Sequence, residues 1–99
     1  MREDMGQPER KELRDPQAAT SELQEQEEER RKLRRLQIMM SMVMSVISQD
    51  AGMSVEEASE LAANAKRAAL ALFPDKEFAY DILYKPRLQR IMAERFHLQ

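Results

Sequence analysis

The chain has 99 residues, a net charge of −2, two glycines and no cysteine. That length holds one domain. The missing thiols exclude a disulfide framework and cysteine chemistry, and the near balance of 16 basic and 18 acidic residues argues against a strongly electrostatic binder.

Charge is spread unevenly along the chain. Residues 1–37 carry 19 of the 34 charged side chains, whereas residues 38–47 carry none and include four methionines. A charged arm thus runs into a segment that has to be buried against something, a pattern of interaction proteins more than of catalysts. Residues 1–14 are charged throughout and lack the apolar stretch of a targeting signal. The longest uncharged run, residues 36–49, is shorter than the ~20 residues of a membrane-spanning helix, so no span is expected. A cytoplasmic location fits the absence of cysteine.

Residues 1–20 contain Gly6, Pro8 and Pro16, with Leu13 as the one large aliphatic side chain. They cannot bury enough surface to offset the entropy of ordering, so a disordered charged arm is expected there. Residues 21–99 are expected to form a single helical domain, with helices at about 21–50, 54–73, 75–85 and 87–96. The first starts at Thr20 or Ser21, where Ser21 and Gln24 have capping-box spacing. Glu27 with Arg31 and Glu28 with Lys32 are four apart in the favourable order. The stretch 24–32 has no apolar face and is expected to extend beyond the bundle as a charged rod. From Leu33 a stripe appears at spacings of three and four: Leu33, Leu36, Met40, Val43, Ile47, widened by Met39 and Met44. Gly52 is expected to close this helix in a left-handed conformation.

The second helix has the clearest start, with Ser54 as cap and Glu57 three residues on. Its seam, Val55, Ala58, Ala62, Ala65, Ala69 and Leu72, is mostly alanine, which admits a neighbouring helix closely and leaves room for Met40 or Ile47. Pro74 ends it. Asp75 is expected to cap a short third helix with Phe78, Ile82 and Leu83 as its apolar residues and Tyr80 and Tyr84 along a core edge. Pro86 breaks that helix and pushes Lys85 out of helical geometry. A fourth segment carries Leu88, Ile91, Met92 and Phe96.

The fold class is therefore all-α: a small bundle of three to four helices with a long charged first helix. The expected function is non-enzymatic, that of a helical adaptor or regulatory protein that self-associates or docks onto a partner helix. Leu33, Leu36, Met40, Val43 and Met44 are its contact residues. No cofactor or small-molecule substrate is expected, because no glycine-rich loop could cradle a phosphate and the single histidine, His97, stands near the C-terminus. One alternative is a nucleic-acid module whose phosphate contacts are Arg30, Arg31, Lys32, Arg34 and Arg35. Its signature would be steep salt dependence, and it lacks an aromatic stacking platform. Another is a metal-binding oligomer. Glu94 and His97 make Glu-x-x-His, half of a di-iron carboxylate motif, which a symmetric dimer could complete with Glu57 or Glu60. The thioethers of Met39, Met40, Met42 and Met44 suit Cu(I), although only Met40 and Met44 share a helix face.

Overall fold

The computed structural model describes residues 16–97. Four helices follow one another: α1 Pro16–Gln49, α2 Val55–Leu72, α3 Glu77–Leu83 and α4 Lys85–Phe96. The protein is all-α. Of the expected disordered arm, residues 1–15 lie outside the described residues, and residues 16–20 are helical.

Helix α1 begins earlier than the capping pattern at Thr20 and Ser21 suggests. Pro16 occupies the first position, where its missing N–H costs nothing and its fixed φ suits a helix. Thr20 lies inside the first turns, and its hydroxyl donates 3.0 Å back to the Pro16 carbonyl instead of capping. Residues 16–32 group as one unit and residues from Leu33 onward as another. In the first, every described side chain except half-buried Ala19 is exposed, as the charged sequence requires.

The second unit holds the core. Leu36, Met40, Val43 and Ile47 of α1 are buried with Ala58, Ala65 and Ala69 of α2, Tyr80 of α3 and Leu88 of α4. Met40 and Ile47 are the large side chains enclosed completely. They belong to the same cluster as the alanines of α2.

The connections are made by short polar devices. After α1 the Asp50 carboxylate accepts the Gly52 N–H at 3.0 Å, and the Arg95 guanidinium donates to the Asp50 carbonyl at 2.7 Å. Gly52 does not adopt a positive φ, so the left-handed closure expected of it is replaced by this Asp50 turn. Ser54 and Glu57 form the full capping box: Glu57 N–H donates to Ser54 Oγ at 3.1 Å and Ser54 N–H to Glu57 Oε1 at 2.9 Å. Between α2 and α3, Lys76 N–H donates to the Phe73 carbonyl at 3.1 Å across a turn with Pro74 at its second position. Lys76, not Asp75, precedes α3, and no side chain caps that helix. The break before Pro86 falls at Tyr84, so Lys85 is helical and opens α4. At the far end His97 takes the left-handed conformation, φ 57°, and its N–H closes onto the Ala93 carbonyl.

Candidate interaction surface

Helix α3 turns its tyrosines to the core, as the core-edge expectation for them has it, but leaves the residues expected as its apolar side outside. Tyr80 is buried and Tyr84 half-buried, their ring centroids 5.6 Å apart, whereas Phe78, Ile82 and Leu83 are exposed. Two interactions orient it. Lys66 of α2 places its ammonium 2.9 Å from Glu77 Oε2 and 3.1 Å from Asp81 Oδ1, which are one turn apart on α3. The same ammonium lies 5.9 Å from the Tyr80 ring centroid. The hydrogen bond to Glu77, then the one to Asp81, hold Lys66 above the usual lysine range. Burial raises Tyr80 above the ordinary phenol value, and its hydroxyl has no hydrogen-bond partner among the described residues. With Glu77 and Asp81 turned to α2 and Tyr80 turned inward, Phe78 and Ile82 are left on the outer side.

Beside that outer face runs an apolar groove of about 190 Å³ lined by Leu33, Leu36, Leu70, Phe73, Leu83 and Tyr84 among others. Almost no polar atom is exposed in its wall. Lys76 stands at its margin and Lys85 follows Tyr84 in sequence, both exposed. A second apolar surface lies on α1. Ile38, Met42 and Val46 recur at intervals of four and are exposed on a segment without charge. That segment is apolar nearly all round, and the chain's own core covers one side of it.

The expected contact residues are divided by this arrangement. Leu36, Met40 and Val43 are occupied by the core, Met44 packs half-buried against it, and Leu33 is exposed at the groove. Among the described residues from Leu33 onward, the other large apolar side chains left exposed are Phe78, Ile82 and Leu83 on α3 and Ile38, Met42 and Val46 on α1. The last three were legible as apolar residues at spacing four.

Arg30, Arg31, Lys32, Arg34 and Arg35 are all exposed. Glu94 and His97 are exposed, and Glu57 spends an oxygen on the Ser54 N–H. Among the described residues no three histidine, aspartate or glutamate side chains gather as a metal site. Met40 is enclosed and Met42 exposed, so the four clustered thioethers do not share a face. Among the described residues no helix is long and apolar enough to cross a membrane. No protein-family model, no curated protein and no solved structure matches the chain.

Proposed function

We propose that this protein is a non-enzymatic association module, a small helical adaptor or regulatory protein that works by presenting apolar helix faces to other protein surfaces. The observation that carries this reading is the charge-free segment of α1, which keeps Ile38, Met42 and Val46 outside although one side of the same helix is buried. Solvent would favour charged or polar side chains at those positions, and an i, i+4, i+8 row of apolar residues is the complement of a partner helix. Methionine suits such a surface because its unbranched thioether adapts to different contours. The charged residues around it keep the chain soluble and steer encounter.

Photo-crosslinking tests this directly. Benzoylphenylalanine in place of Met42 is expected to give a covalent adduct of one discrete mass in cells. The adduct should disappear when Ile38 and Val46 are both replaced by glutamate. No adduct, or a diffuse set that ignores those glutamates, refutes the reading.

A further inference from the structure

We infer that the outer face of α3 and the groove beside it form a twofold interface with a second copy of this chain, in which Phe78 of each copy enters the groove of the other. The inference rests on the association reading above and adds to it a second surface, with its occupant.

The first argument is fit. Phe78 is 79 % exposed and takes no part in the core, so its ring stands free. Ala79 and Leu83 line the groove, and Phe78 and Ile82 each precede one of them on α3. A cavity of about 150 Å³ lined by leucine, isoleucine and phenylalanine takes up benzene. At about 190 Å³, with a wall of leucine, phenylalanine and alanine, this groove has room for a phenyl ring. Projection and recess are neighbours on one surface. A twofold axis between two copies therefore sets each ring over the other's recess, the self-complementary arrangement of an isologous dimer.

The second argument is area. Leu33, Phe78, Ile82 and Leu83 are 46 %, 79 %, 57 % and 59 % exposed. At about 200 Å² per large apolar residue these fractions come to roughly 500 Å². A standard interface buries about 800 Å² on each partner, some 56–65 % of it apolar, which is about 450–520 Å². The exposed patch supplies the apolar part of one such interface.

The third argument concerns what the fold lacks. Three of the nine buried core residues among those described are alanine. A domain this small has a poor ratio of buried to exposed surface and commonly gains the rest of its burial by oligomerising. A second copy is always present at the concentration of the first. The surroundings offer little repulsion to it, since Lys76 and Lys85 are accompanied by Asp75 and the chain carries a net charge of only −2.

The test is sedimentation equilibrium of the full chain up to about 100 µM, where associations of micromolar strength are resolved, for wild type and Phe78→Glu. A wild-type dimer is expected, with its association constant lowered about a hundredfold or more by the glutamate, because the change removes both central anchors. Should Phe78→Glu fail to fold alone, a second measurement decides. The chain has no native cysteine, so Phe78→Cys mixed with Leu70→Cys and treated with a short bismaleimide should give a covalent heterodimer, whereas Phe78→Cys mixed with Glu60→Cys should not. A wild-type monomer at every concentration overturns the inference. If such a monomer still gives the discrete adduct at position 42, the association reading survives the loss of the dimer. A dimer indifferent to Phe78→Glu and without the 78–70 adduct also removes this interface and leaves the association reading standing.

Discussion

Met40 and Met42 are two residues apart on α1 and have opposite environments, which makes them a matched pair for testing the burial pattern. Met40 is 0 % exposed and Met42 is 61 % exposed. Truncating Met40 to alanine removes a fully buried side chain, with a transfer term of about 1.5–3 kcal/mol. It also opens a cavity, and measured buried Met→Ala changes lie at about 2–5 kcal/mol. The alanines of α2 in the same cluster have no longer side chain with which to refill the space, so the loss is set at about 3 kcal/mol, inside that measured range. A domain of 60–100 residues shifts its melting temperature by about 4–8 °C per kcal/mol, so Met40→Ala lowers it by about 12–24 °C. The same truncation at Met42 removes exposed surface and introduces the best helix former, so its effect stays within about 0.5 kcal/mol. Urea titration followed by far-UV circular dichroism, at one protein concentration below the dimer range, measures both variants. Equal losses at the two positions, or a loss below about 1 kcal/mol at Met40, would refute the packing described here.

Three further outcomes are expected. Tyr80→Phe removes a buried hydroxyl that has no partner, so it should leave stability unchanged or raise it by up to about 1 kcal/mol in the same titration; a loss above that size would mean that the hydroxyl is satisfied. Ser54→Ala breaks the reciprocal bonds with Glu57 and should cost about 1 kcal/mol, while Thr20→Ala, which touches no cap, should cost little; reversed effects would contradict the helix starts. Lys66 and Tyr80 both titrate above their ordinary ranges, so the stability each adds is complete below the unfolded values near about 10 and is lost as pH climbs through the raised ones. The urea midpoint should therefore fall beyond about pH 10, more shallowly in Tyr80→Phe, and a midpoint that rises there would contradict both assignments.

Local chemistry made much of this fold legible. The Ser54–Glu57 box needs only residues three apart, and the α1 stripe at Leu36, Met40, Val43 and Ile47 follows from helical period alone. The start of α1 was obscured because threonine and serine read equally well as caps, whereas here the hydroxyl of Thr20 turns back into its own helix. The exposure of Phe78, Ile82 and Leu83 is not legible for a different reason. Its seven residues include apolar side chains on nearly every side, so period carries no direction. The direction comes from Lys66, eleven residues earlier, which draws Glu77 and Asp81 to α2. Partly exposed ion pairs of this kind add little stability, but together with the burial of Tyr80 they set which way the helix turns. The groove was illegible for a related reason, since its lining comes from three helices and the segment between two of them.

The alanine seam of α2 imposes a one-sided rule on how this sequence can drift. Ala58 and Ala65 are nearly at the lower limit of side-chain size and buried, so a larger residue at either crowds its neighbours. Met40 and Ile47, among the bulkiest occupants of the core, tolerate shrinkage poorly for the complementary reason. One helix thus sets a ceiling on volume and the other a floor. A change of core volume at one of these positions is therefore best absorbed by an opposite change elsewhere in the same cluster, while the exposed residues of α1 and α3 remain free to follow whatever surface they meet.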